Sequence, residues 1–182
     1  MEIVIRPVAW FADNKPDLAQ EISSDVEILA TLAHQIWTEY YTPMIGPAQV
    51  DYMITHFQSP EYISDSICTK SFRYWIAEVD GVPAGYCGAC EEDESLFLSK
   101  LYIAKNYRGL GISRLFLAEL DSWGFQSRPD VDTISLTVHK GNKASIDAYT
   151  KLGFSLEEPI VTDIGGGYVM DDYVMRRKIQ KI

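Results

Sequence analysis

The chain has 182 residues, 47% apolar and 23% charged, a balance that fits one folded domain and excludes a disordered, collagenous or coiled-coil chain. Sixteen Lys and Arg against 26 Asp and Glu give a net charge of −10, which argues against nucleic acid or an anionic membrane as partner and leaves cationic small molecules open. No apolar run approaches the roughly 18 residues of a membrane span, and three cysteines, Cys68, Cys87 and Cys90, point to a reducing compartment, the cytoplasm.

In chain order, residues 2–6 predict a strand. No basic stretch there precedes a long apolar one, so the segment does not read as a signal peptide. Residues 12–21 are polar and predict a loop. Ser24 and Glu27 have capping-box spacing, and Val26, Leu29, Ala33, Ile36, Trp37 and Tyr40 follow at helical spacing. Gly46-Pro47 separates this helix from a second, with Val50, Met53, Ile54 and Phe57 as its stripe. Residues 72–79 and 82–90 predict a hairpin joined by Asp80-Gly81. The acidic run of residues 91–94 is a loop, and residues 95–103 a third strand.

Residues 109–124 predict a helix with Ile112, Leu115, Phe116, Leu120 and Trp123 on one face. Residues 133–138 alternate as a strand, with Ile134, Leu136 and Val138 on one side. Residues 142–152 form a second amphipathic helix that ends at Gly153. Residues 154–157 and 168–177 predict a terminal hairpin around Gly165-Gly166-Gly167, with Arg176-Arg177-Lys178 as a solvated strand end. The order implies a single α/β domain over residues 1–182 with a mixed sheet.

Two clusters carry chemistry. Arg108-Gly109-Leu110-Gly111-Ile112-Ser113 stands between an apolar strand and a helix. Glycines there let backbone amides converge on an anion, and the helix N-terminus adds partial positive charge. A dinucleotide fingerprint fails because Arg114 stands where its third glycine belongs, and a P-loop fails for lack of Gly-Lys-Ser/Thr. Some thirty residues on, Asn142 can cap the next helix, and Tyr149 lies two turns along on the same face. Together the strand and two helices could surround one elongated ligand.

These two blocks resemble the GCN5-related N-acetyltransferase (GNAT) family. Its pyrophosphate loop, Arg/Gln-x-x-Gly-x-Gly/Ala, is matched by Arg108, Gly111 and, with a small hydroxymethyl in place of Gly or Ala, Ser113. Its next block, Asn-x-x-Ala-x-x-x-Tyr-x-Lys-x-Gly-Phe, is matched by Asn142, Tyr149, Lys151, Gly153 and Phe154, with Ser145 where Ala is common. The hairpin of residues 75–85 also looks like the one before the family's cofactor strand. The Gly-rich tail, residues 163–173, is similar to the branch containing bacterial polyamine acetyltransferases.

The resemblance implies a mostly antiparallel sheet flanked by about four helices and acetyl-CoA as cosubstrate, with no metal. Its pyrophosphate would sit on Gly109, Leu110, Gly111, Ile112 and Ser113, with Arg108 and Arg114 nearby. The pantetheine arm would pair with the open edge of Leu101, Tyr102 and Ile103. A backbone amide there, at Leu101 or Tyr102, would polarise the thioester carbonyl, and Tyr149 would protonate the departing thiolate. Asn142, Ser145 and Lys151 complete the expected cofactor set, and Glu39, Tyr40, Tyr41 and Ser99 the acceptor set, since aromatics with a carboxylate suit a cationic amine.

Residues 96–100 hold no carboxylate to serve as general base. The acidic run of residues 91–94 could reach by a water chain, but reads better as a solvated turn. The small-amine acceptor, a polyamine included, competes with a protein N-terminus or lysine, and with a catalytically silent CoA-binding module. A homodimer is the expected assembly, because closed two-fold oligomers are common. Cys87-Gly88-Ala89-Cys90 lies within a strand and lacks a second ligand pair, so it reads as buried structure rather than a metal or redox site. His34, His56 and His139 have no evident partners in the sequence.

Overall fold

The computed structural model describes residues 1–8, 18–69 and 72–180. The described elements are β1 (Ile3–Pro7), α1 (Leu18–Ile45), α2 (Pro47–Phe57), α3 (Pro60–Cys68), β2 (Arg73–Val79), β3 (Val82–Glu91), β4 (Leu96–Ile103), α4 (Ile112–Ser127), β5 (Thr133–His139), α5 (Lys143–Lys151), β6 (Ser155–Gly165) and β7 (Tyr168–Lys178). The strands form one sheet in the order β1-β2-β3-β4-β5-β7-β6. Every neighbouring pair is antiparallel except β4 and β5. This is the mixed, mostly antiparallel α/β architecture that the sequence implies.

Strand alternation divides the core between the two faces of the sheet. Trp75, Ala77 and Cys87 join Ile112, Phe116 and Leu120 of α4 on one face, with Ile134, Leu136 and Val138 of β5. Tyr74, Ile76 and Tyr86 join Val26, Leu29, Ala33, Ile36 and Trp37 of α1 on the other. The β2–β3 turn is as expected: Asp80 and Gly81 both take positive φ, as a tight hairpin turn of right-handed strands requires.

Several local readings change. The loop expected over residues 12–21 lies in part outside the described residues, and the rest belongs to α1. Ser24 is therefore no N-cap. Ile22 extends the buried stripe one turn upstream, and Asp25 is held by both terminal nitrogens of Arg6 on β1, at 2.8 and 3.0 Å. Tertiary pairing overrides the capping signal. The fifth helix, α3, was not anticipated, although Ser59 caps it at 3.2 Å and Pro60 opens it. On α4, Leu115 is exposed, and Leu117 is buried in its place. β6 is longer than expected and reaches the predicted glycine turn.

The expected solvated end of β7 is also corrected. Arg177 is buried and donates to Asp121 of α4 at 2.9 Å, while Arg176 pairs with Glu157 and Glu158, and Lys178 with Asp132. Removing one partner of a buried ion pair leaves the other uncompensated, at about 3–5 kcal/mol. Asp121→Ala is expected to lose that much stability in urea denaturation, whereas Asp132→Ala, whose pair is solvent-exposed, should lose under about 1 kcal/mol.

Candidate active site

The parallel pair β4–β5 is joined only at Leu96–Ile134 and Phe97–Ser135. Beyond those positions the strands part. A register shift sets in where Gly88 faces Lys100 and Ala89 faces Leu98, so Ser99 is the extra residue of a bulge on β4. The Ala104 amide donates to Ala84 on β3 at 2.9 Å. In an antiparallel pair such ladder bonds recur at every second residue, so Tyr102 also faces β3. Leu101 and Ile103 turn their amides and carbonyls to the parted edge. Of the two amides expected to polarise a carbonyl, the ladder places that of Leu101 on the open side.

A cleft of about 760 Å³ occupies this gap. Of the expected cofactor residues, Leu101, Tyr102, Ile103, Arg108, Gly109, Ser113, Asn142, Ser145 and Tyr149 line it. Leu110, Gly111 and Ile112 complete the turn into α4 without lining the cleft, and the Ile112 side chain is buried in the core. Gly109 and Gly111 have φ of +81° and +83°, where a side chain would be strained. The amides of Gly109 to Ser113 find no acceptor among the described residues. They stand at the N-terminus of α4, where the dipole favours an anion.

The Arg108 guanidinium turns back to donate to the Ile103 carbonyl at 2.9 Å and lies over the Tyr40 ring at 4.9 Å. Arg114 and Lys151 are exposed and line no part of the cleft. Asn142 is buried, and its Oδ1 accepts from the Ser145 amide at 3.1 Å and from the Tyr40 hydroxyl at 2.8 Å. It thus caps α5 and ties α1 across the cleft to that cap. Tyr149 packs edge-on to Phe154, 5.6 Å between ring centres. Burial, then the neighbouring Tyr41, raises its phenol above the ordinary tyrosine range, so the hydroxyl keeps its proton.

Among the expected acceptor residues, Tyr40, Tyr41 and Ser99 line the cleft. Glu39 does not. It is exposed and paired with Lys105 at 3.3 Å, which removes it from the acceptor wall. In the acidic loop, Glu92 lines the cleft, and the Arg128 guanidinium braces the turn by donating to the Glu92 and Asp93 carbonyls.

Two charged residues of the cleft were not anticipated. Lys100 is buried, with its ammonium 4.4 Å from the Phe72 ring centre and 5.3 Å from that of Tyr62. Burial lowers its pKa to about 8. Asp172 of β7 is 6% exposed, and its Oδ1 has no partner among the described residues. The available signal was a charge inside each apolar strand. Elsewhere, Cys87 joins the α4-side core, and burial raises its thiol well above the usual range and that of Cys90 to about 11. Neither is a thiolate near neutral pH. No group of three or more metal-ligating side chains occurs among the described residues.

The model of the acetyltransferase (GNAT) family matches residues 31–154. No curated protein matches the sequence significantly. Among solved structures, the chain is similar to PaiA N-acetyltransferase from Thermoplasma acidophilum, at 21% identity and TM-score 0.75 over 98% of this chain and 99% of that one. It is also similar to spermidine N-acetyltransferase from Vibrio cholerae, at 16% identity and TM-score 0.62 over 97% and 95%. The ribosomal-protein-S18-alanine N-acetyltransferase from Escherichia coli aligns at 14% identity and TM-score 0.64 over 100% and 96%. At these identities the likeness speaks for the fold, and the family model, spanning more than half of the sequence, speaks for descent: the chain belongs to the acetyltransferase (GNAT) family.

Proposed function

We propose that the protein moves an acetyl group from acetyl-CoA to the primary amine of a small cationic acceptor, a polyamine being the first candidate. The observation that carries the reading is the parting of β4 from β5, which turns the Leu101 and Ile103 backbone toward the same cleft that Tyr149 lines. The residues fit acetyl-CoA: a row of amides from Gly109 to Ser113 without protein acceptors suits a pyrophosphate, and a free strand edge suits a pantetheine amide chain. The T. acidophilum structure holds coenzyme A, and the V. cholerae structure holds CoA and spermine.

Each role follows from placement. The Leu101 amide would donate to the thioester oxygen as charge develops there, a contribution of about 3 kcal/mol for one such donor. The Tyr149 hydroxyl, protonated throughout the working pH range, would give its proton to the departing sulfur. Asn142 would hold Tyr40 in the wall and keep α5, and with it Tyr149, in register. Acetyl-CoA supplies the activated acyl carbon. The cysteines are all unpaired, which supports the cytoplasm as the working compartment, and no described helix is long and apolar enough to cross a membrane.

Release of CoA from acetyl-CoA, followed across spermidine, spermine, putrescine, free amino acids, aminoglycosides and N-terminal peptides, tests the reading. Release with a small-amine class is expected. Acetyl-CoA binding without release by any amine would overturn the transferase assignment in favour of a silent CoA-binding module. Release confined to the peptides would replace the small acceptor by a protein N-terminus.

A further inference from the structure

We propose that Asp172 receives the acceptor's ammonium group and takes the proton it must lose before it can attack. The inference rests on the transferase reading above and supplies a buried carboxylate in the cleft where residues 96–100 hold none. β4 holds no carboxylate and offers Ser99 and Lys100 instead. Asp172 comes from β7, two strands away in the sheet order. It stands opposite His139 on β5 and Ile160 on β6. All three line the cleft, although the Asp172 side chain is 94% removed from solvent.

A carboxylate buried with an unpaired oxygen is costly unless something else satisfies it. Oδ1 of Asp172 is such an oxygen. Among its surroundings are Tyr41 of α1 and Tyr102 of β4, whose phenols are raised chiefly by burial and in smaller part by the Asp172 charge, and both are neighbours of Tyr149. The carboxylate and the Tyr149 phenol thus line one cleft, with Tyr41 and Tyr102 as common neighbours. The cleft wall it shares includes apolar Met53 and Phe57 of α2, Ile160 and Ile164 of β6 and Met170 of β7. Such a wall strips water from an ammonium and leaves the carboxylate as its counter-charge.

The charged neighbours are few. His139 faces Asp172 from β5, and the Gly141 amide donates to its Nδ1 at 3.1 Å. Thr137 of the same strand offers a hydroxyl, Lys140 is engaged by Asp171, and Tyr41 and Tyr102 close the remaining sides. Burial raises the Asp172 carboxyl above the ordinary aspartate range, against the smaller opposing pull of His139. That makes it a better proton acceptor than a solvated aspartate.

The protons balance. The ammonium gives one proton to Asp172, which later releases it to solvent. The freed nitrogen lone pair forms the bond to the acyl carbon. As the carbon–sulfur bond breaks, the sulfur takes the Tyr149 proton, and the second nitrogen proton restores Tyr149. One amine cation and one thioester yield one amide, one thiol and one released proton.

Asp172→Asn keeps the shape and removes the base. Its kcat/KM for the acceptor identified by the release assay is expected to fall at least about 100-fold. Acetyl-CoA affinity, read by calorimetry, should stay within about twofold and report an intact fold. The acid limb of the wild-type kcat/KM profile, set above the ordinary aspartate range, should vanish in Asp172→Asn and survive in His139→Gln. An Asp172→Asn enzyme within threefold of wild type, or one that keeps the acid limb, would overturn the proposal. Wild-type protein that binds acetyl-CoA yet acetylates no amine would instead overturn the transferase reading, and this role with it.

Discussion

Replacing Tyr149 by Phe is expected to slow turnover by about 10²- to 10⁴-fold while leaving acetyl-CoA affinity within about twofold. The substitution removes one hydroxyl and keeps the ring against Phe154 and the core. Stability should therefore change little. The split between kcat and binding is the diagnostic part. A phenol that only packs would cost nothing in either. A phenol that only holds the cofactor would raise KM for acetyl-CoA. The acid role predicts a loss in kcat that stays when acetyl-CoA saturates. The direction of the Tyr149 shift matters here, because burial raises its pKa and so no alkaline limb from this group should appear near neutral pH. Pre-steady-state acetyl transfer measured beside steady-state CoA release separates chemistry from product release. Equal kcat in Tyr149→Phe and wild type would remove the acid from the mechanism.

The two acids and bases of this scheme were not equally legible. Tyr149 could be found because it lies within a local motif: its helix, its cap and its spacing from Asn142 all sit within ten residues. The anion loop could be found for the same reason, since positive φ and a helix start leave glycine as their trace. Asp172 could not. It is one of two adjacent aspartates on β7, and adjacent strand residues point to opposite faces. Which of them enters the cleft depends on the register of β7 against β5, whose paired residues are 33 to 45 positions apart in the chain. Lys100 was hidden for a related reason. The bulge at Ser99 re-aims the strand, and nothing in the residues 96–103 announces it. The buried Asp25 shows the reverse case, a local signal that misled. Ser24 and Glu27 have the spacing of a helix start, yet the Arg6 pair and the Ile22 contact carry the helix through.

Gly111→Glu is expected to abolish measurable acetyl-CoA binding, a loss of at least about 100-fold, or about 2.7 kcal/mol. Three effects act in the same direction. At a φ of +83° a residue with a Cβ costs roughly 1–2 kcal/mol relative to glycine, so the turn that aims the amides is disfavoured. The new carboxylate sits at the N-terminus of α4 and competes with the pyrophosphate for the same orphan amides. Its charge also repels the phosphates directly. Steric clash is not among the effects, because a Cβ at Gly111 meets nothing within 4 Å. The fold should therefore survive, which a thermal melt of the free protein would show. Gly111→Ala carries the backbone cost without the charge and should lose only about tenfold, roughly 1.4 kcal/mol. The difference between the two variants then isolates the electrostatic part, and it should shrink as ionic strength rises. If Gly111→Glu bound acetyl-CoA as wild type does, the Gly109-to-Ser113 amides would not be the pyrophosphate cradle. The exposed Arg114 and Lys151 would then have to supply the anion site from outside the cleft.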